Sequence, residues 1–445
     1  MAGTTVTTPY GTIQGISKGG CSVFRGVPYA KPPVGALRFH RPVPLDKPAW
    51  TGTWDASFFR NKSAQMDRRE GFYYKEFYSD PAWQTKASED CLYLNIWTPE
   101  GDCTGLPVAV YVHGGAFMGG AGSNLPFDGE AYAKRGVILV TINYRLGMLG
   151  FLAHPLLAKA SGEGTSGNYG LWDQLAAIDW VRENIACFGG DPERITLFGQ
   201  SAGAMSLQVL ACTGRLTGNV CGMILQSGGG YGNPLTGWKK AEEGEWLAEE
   251  AFASLGITPE NIRTRLAEAS EEEIDAAAGR AIGRSFKEGK GLPFMPVIDG
   301  ELITGTVEEL TDAGKALQVP YILGSNEDDI TTEEETNRCP ETNRMHRANV
   351  EMAKRMNEQG NPAYVYYFKR KLPGDDAGAF HSAELWYTFD TLQYSWRPFE
   401  EHDRVLAGEI MDRWCAFMKT GKPVPKGAED WKPCTGDEAS VMVFA

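Results

Sequence analysis

The chain has 445 residues, long for one ordinary domain, and its 42% hydrophobic content is enough for a substantial core. Its 43 basic against 57 acidic side chains give a formal net charge of −14. That balance argues against nucleic acid or an anionic membrane as a main partner, because both need a basic surface. In chain order, residues 6–16 and 22–30 read as short antiparallel edge strands, followed by a proline-rich connection through Pro32, Pro33, Pro42 and Pro44. Residues 55–88 are aromatic and charged without clear periodicity and read as a long ordered loop, the kind that often borders a site. Residues 92–97, 107–112 and 136–144 are nearly continuous apolar runs, as expected of central strands covered on both faces. Residues 172–186 are helical, with Leu175, Ile178, Val181 and Ile185 at helical spacing and Gly189 and Gly190 ending the segment. A strand at 195–198, a helix at 202–212 and a strand at 220–226 follow. This alternation predicts a mostly parallel sheet wound on both faces. Residues 232–290 are rich in Glu, Ala and Lys, with Trp246, Leu247, Phe252 and Leu255 at helix-like intervals. They read as inserted helices, either a cap over the site or a solvated excursion. Strands at 319–324 and 363–369, an amphipathic helix at 404–419 and a short strand at 440–444 complete a single domain, 1–445.

The N-terminus shows neither a basic n-region nor an apolar h-region, and no run approaches the ~18 apolar residues of a membrane span. A cytoplasmic protein without a signal peptide or membrane partner is the expectation. Nine cysteines, with no C-x-x-C and no metal-like spacing, suggest reduced thiols and no metal. Cys212 and Cys221 are the one close pair with any claim to a disulfide.

The chemistry centres on Gly199, Gln200, Ser201, Ala202 and Gly203, which match G-x-S-x-G between a strand and a helix. That turn holds a serine at a strained elbow above the carboxyl edge of a sheet. A serine hydroxyl is a weak nucleophile and needs a base and an acid, which in this architecture follow it in the chain. His40, His113 and His154 precede Ser201 and fail that order. His346 and His402 lie in charged, helical surface stretches, where a lone histidine is usually solvated. His381 sits in a loop after a strand end and is the candidate base. The acid belongs in the turn after the strand ending at Leu323, where Glu327, Asp328 and Asp329 compete and spacing alone does not choose. Backbone donors for an oxyanion are expected from the H-G-G loop, at Gly114, Gly115 and Ala116, together with Ala202 after the nucleophile. Trp83, Phe117, Trp386 and Tyr394 could line an apolar pocket, although core packing is the commoner role for any one of them. No cofactor is required.

With these residues in hand the chain resembles the type-B carboxylesterases, the cholinesterase-like branch of the α/β-hydrolases. The likeness runs from about residue 7 to 417. It is carried by RGVPYAKPPVG at 25–35, EDCLYLN at 89–95, VHGGAF at 112–117, NYRLG at 143–147, GNYGLWDQ at 167–174, FGGDP at 188–192 and TLFGQSAG at 196–203. The resemblance implies an α/β-hydrolase fold and a serine carboxylesterase acting through Ser201, His381 and Asp329, the last acid of its turn. It implies Gly115, Ala116 and Ala202 as oxyanion donors, with Gly114 shaping the loop. It implies that Glu89, Arg145 and Asp173 form buried structural ion pairs. The disulfide that many secreted members make from the Cys91 position is not expected, since Cys21 lies too early in the pattern; this points to a cytoplasmic, bacterial-type member. Gln200 replaces the Glu of cholinesterases, which disfavours choline esters. A catalytically idle binding module, or the same site cleaving amides or carbamates, are the competing readings.

Overall fold

A computed structural model describes residues 4–66, 70–216, 218–330 and 343–445. Among these the main sheet has ten strands: β1 (Ile16–Lys18), β2 (Cys21–Pro28), β3 (Tyr93–Pro99), β4 (Leu106–Val112), β5 (Ile138–Ile142), β6 (Gly190–Gln200), β7 (Val220–Gln226), β8 (Tyr321–Asn326), β9 (Ala363–Phe368) and β10 (Met442–Phe444). Their spatial order is β10-β9-β8-β7-β6-β4-β5-β3-β2-β1. From β10 to β5 neighbours run parallel; β3, β2 and β1 extend the other edge antiparallel. Every residue of β5, β8 and β9 is buried, as the apolar runs demand of strands sandwiched between helices. A hairpin of Thr5–Thr8 with Gly11–Gln14, joined in parallel by Thr53–Asp55, forms a separate small sheet.

The period-2 alternation of the strands feeds two cores. Val110, Leu197, Leu225, Leu323 and Val365 face one layer, packed by α1 (Tyr169–Asn184), α2 (Ala202–Ala211) and α6 (Arg344–Glu358). Tyr111, Phe198, Ile224, Ile322 and Tyr366 face the other, covered by α7 (Glu401–Thr420) through Leu406, Ile410, Trp414 and Phe417. All ten residues of α2 are buried, consistent with a helix apolar on every side. The sheet order reverses around β4, which has β5 on one side and β6 on the other. Ligand crevices in such sheets open outside the carboxyl ends of the strands at that switch point.

Residues 232–290 form three helices, α3 (Glu245–Leu255), α4 (Ile262–Glu268) and α5 (Glu271–Lys287). Ser270 and Glu273 make a capping box that starts α5. The three helices pack on a flank: Phe252 lies 5.0 Å from the His154 ring, and the carbonyls of Leu266 and Ala269 at the end of α4 accept from Arg38. That guanidinium is held bidentate by Glu89 at 2.7 Å. Arg145 and Asp173 make a second buried fork, at 2.8 and 2.7 Å.

Several expectations need correcting. The stretch 55–88 carries short strands and a π-helical turn, Tyr74–Tyr78, rather than an unbroken loop. His346 is on a helix but fully buried, its Nε2 3.0 Å from Glu438 and its ring against Tyr367. Cys212 and Cys221 are both free; one is buried beside Thr311, while the Sγ of the other lies 3.8 Å from Thr196.

Candidate active site

The elbow is made by crowding. A Cβ on Gly199 would stand 2.8 Å from both the Gly203 backbone and the Val112 carbonyl, and one on Gly203 would collide with that same carbonyl. Only glycine lets α2 start this close to β4 and β6. Ser201 sits between them at φ 55° and ψ −126°, a conformation that costs energy for a residue with a side chain. Its N–H donates to the Gln226 carbonyl on β7 at 2.8 Å, and its own carbonyl accepts from Met205. The serine turn is thus tied to both the sheet and α2.

One strand over, β4 ends in the loop His113 to Phe117. Gly115, Ala116 and Phe117 all have positive φ, and a Cβ on Gly114 would stand 2.7 Å from the Gln200 carbonyl and 2.9 Å from the Ser201 Cβ. The loop therefore lies hard against Ser201. The N–H groups of Gly115 and Ala116 meet no acceptor among the described residues. His113 is buried, stacks on Tyr144 at 4.6 Å and contacts the Gly114 carbonyl through Nδ1 at 2.8 Å. Burial pushes its pKa down to about 4, so the ring is neutral and Nδ1–H donates. Phe117 is anchored away from the site between Phe151 and Trp238.

The acidic turn after β8 separates its three carboxylates. Glu327 reaches Lys369 at 3.4 Å. Asp328 accepts from the Ala379 N–H at 2.8 Å and stitches the turn to the loop before His381. Asp329 accepts from His381 Nδ1 at 2.5 Å and from the N–H groups of Asn326 and Ile330 at 3.0 and 2.9 Å. Burial alone would lower the basicity of His381, but the adjacent Asp329 carboxylate outweighs it and raises the pKa above the ordinary 6.5. Burial would likewise raise Asp329; His381 and the Asn326 N–H hold it below its usual range.

His381 Nε2 faces Gln200, whose amide Nε2 is 3.2 Å away. With Nδ1–H donated to Asp329, Nε2 carries the lone pair and the Gln200 amide donates to it. Sequence reasoning treated Gln200 only as a replacement for Glu; its place beside Ser201 in the elbow was the available signal. Asn326 and Glu384 were also missed. Asn326 Nδ2 donates to the Phe380 carbonyl at 2.7 Å and to Glu384 at 2.5 Å, bridging the acid turn and the histidine loop. Burial pushes the Glu384 carboxyl up to about 7.

Ser201, His381, Gly114, Gly115 and Ala116 open together on a cavity of about 210 Å³, with Ala202 directly behind Ser201 at the start of α2. Its apolar wall is Tyr73, Phe77, Tyr78, Phe127, Ile330 and Leu385. None of the described residues lining it is Asp, Glu, Lys or Arg. Trp83, Phe117, Trp386 and Tyr394 do not line it, nor does any residue of 232–290. Among the described residues no group of three His, Cys, Asp or Glu side chains is placed to hold a metal.

A sheet wound on both faces, with a serine elbow at its switch point and a histidine and carboxylate delivered from the next strands along, defines an α/β-hydrolase. A profile of the carboxylesterase family matches residues 2–349 and 334–445. The chain is 31% identical over 463 residues to para-nitrobenzyl esterase of Bacillus subtilis strain 168, covering 94% of this chain and 90% of that protein. It is 39% identical over 324 residues to fumonisin B1 esterase of Sphingopyxis macrogoltabida, a match covering 72% of this chain and 55% of that relative. Among solved structures, carboxylesterase EST55 of Geobacillus stearothermophilus superposes with a TM-score of 0.79 at 30% identity, covering 99% of this chain and 96% of the other. The chain belongs to the carboxylesterase family and is a carboxylic ester hydrolase. No helix among the described residues is long and apolar enough to cross a membrane.

Proposed function

We propose that the protein hydrolyses small, uncharged carboxylic esters through Ser201, His381 and Asp329 by way of an acyl-enzyme. The observation that carries this reading is the Asp329–His381 contact at 2.5 Å opening, with Ser201, on one uncharged, aromatic-walled cavity. His381 Nε2 takes the Ser201 proton as Oγ attacks the carbonyl carbon. Asp329 holds the imidazole in the Nδ1–H tautomer and stabilises the imidazolium that forms. The N–H groups of Gly115, Ala116 and Ala202 receive the oxyanion, and Gly114 lets their loop approach the serine. Collapse expels the alcohol, which takes the proton from His381. Water, deprotonated by the same nitrogen, then releases the acid and restores Ser201. An apolar wall without fixed charge suits an uncharged ester, in keeping with a relative named for para-nitrobenzyl esters.

The test is hydrolysis of para-nitrophenyl acetate and butyrate by the purified protein and by Ser201→Ala. The variant is expected to lose at least about 10³-fold in kcat with its circular dichroism unchanged. Equal turnover in both proteins would remove Ser201 from the mechanism.

A further inference from the structure

Behind the aromatic wall of the cavity lies a buried ion pair that the hydrolytic steps do not use. Glu76 sits in the π-helical turn Tyr74–Tyr78, whose neighbours Tyr73, Phe77 and Tyr78 face the cavity. Such turns are rare and recur at functional sites. The Glu76 side chain points the other way and is 1% exposed. It accepts from Trp386 Nε1 at 2.7 Å, from Trp396 Nε1 at 3.0 Å and from Arg397 Nε at 2.9 and 3.0 Å. Arg397, fully buried, then reaches the loop that carries the base: Nη1 donates to the Pro373 carbonyl at 2.9 Å and to Asp375 at 2.8 Å, and Nη2 to Asp375 at 3.2 Å. Its guanidinium lies 5.2 Å from the ring of Phe380, the residue before His381. The same ring packs against Tyr73 and Phe77, and the Tyr73 hydroxyl donates to the His381 carbonyl at 3.3 Å.

One guanidinium thus joins the substrate wall to the histidine loop, and both elements press on Phe380 between them. A buried ion pair adds little net stability over apolar packing, because desolvation cancels most of its attraction. It does hold two elements at a set spacing: both Glu76 oxygens share the Arg397 Nε–H, and the Nη1 and Nη2 groups form a two-pronged contact with Asp375 that tolerates little displacement. We infer that Glu76 and Arg397 are positioning residues that set the gap between turn 73–78 and the His381 loop, and so select which esters reach Ser201 by the size of their acyl or alcohol group. The inference rests on the ester-hydrolase reading above and adds to it the device that sets substrate size.

The experiment compares kcat and KM of wild type, Glu76→Gln and Asp375→Asn on two ester series. One runs from para-nitrophenyl acetate to octanoate, the other from ethyl to benzyl acetate. Glu76→Gln keeps an acceptor for one of the two tryptophan N–H groups but loses the charge that grips Arg397. Its spread of kcat/KM across at least one series is expected to narrow fivefold or more, with KM changing more than kcat. Asp375→Asn cuts the outer, part-exposed end of the strut and should change the same series in the same sense by a smaller factor, so the inference stays testable if Glu76→Gln does not fold. Size profiles parallel to wild type in every variant that folds, with only the melting temperature lowered, would make the pair structural and overturn the inference. A wild type inactive on both series overturns the hydrolase reading first, and this inference with it.

Discussion

At Nε2 of His381 the Gln200 amide occupies the lone pair that Ser201 uses in the proposed mechanism, which therefore requires substrate entry to exchange one partner for the other. Hydrogen bonds at catalytic groups are commonly loose without substrate and tighten in the complex. The proposed mechanism needs the neutral imidazole, whose pKa is raised above 6.5, so it predicts that kcat/KM falls as pH drops through a value above 6.5. Gln200→Glu would set a second carboxylate beside the ring and stabilise the imidazolium further. Its acid limb is expected about one pH unit higher than that of wild type. A pH profile of kcat/KM from about pH 5 to 9 reads this directly, and an unmoved limb would mean the side chain at 200 turns away from the base in the working enzyme.

Elements of the sheet were legible wherever burial is two-sided, since a strand between two helical layers is apolar at every position; residues 220–226 coincide with β7 for that reason. The turn at 74–78 was not legible, because five residues are too few for a period to emerge and its one buried charge, Glu76, mimics a solvated loop. Helix α6 was legible as a helix but not as buried: Met345, Ala348, Met352 and Met356 do recur at helical spacing, but among enough Arg, Lys and Glu to look like surface. Glycines show how local freedom and tertiary crowding separate. Gly203→Ala is expected to destabilise the protein by about 3 kcal/mol, because its Cβ meets strand backbone that cannot yield. Gly279→Ala, on the exposed face of α5 with open space around it, should stabilise by about 0.5–1 kcal/mol through helix propensity alone. Denaturant unfolding of the two variants measures the contrast, and similar effects from both would undo the crowding argument for the elbow.

Across the whole molecule, two buried forks join segments far apart in the chain. Arg145 to Asp173 fastens the loop after β5 to α1, and Arg38 to Glu89 fastens the N-terminal region to the end of α4. Asp173→Asn would leave the Arg145 guanidinium buried without its counter-charge, and a loss of about 3–5 kcal/mol is expected in denaturant unfolding. A loss under about 1 kcal/mol would show that water or a local shift rescues the arginine. The family resemblance implied Glu89, Arg145 and Asp173 as ion-pair residues but did not name Arg38, the one of the four whose guanidinium also reaches the inserted helices. Composition says that 232–290 is helical; it carries no information on which flank the helices cover.

Legible without any structure were the serine turn and the chain order of the candidate catalytic groups. A strained serine between glycines, the H-G-G loop and a histidine downstream are short-range patterns whose chemistry allows few substitutes. Spacing left three adjacent carboxylates open and only the family pattern favoured Asp329; the fold brings that one to His381, because successive side chains in a turn diverge and the packing of β8 against β9 settles which one points inward. Tertiary structure alone decided which aromatic rings face the substrate. A ring buried in a core and a ring lining a cavity look alike in sequence, and they differ only in what lies on the other side.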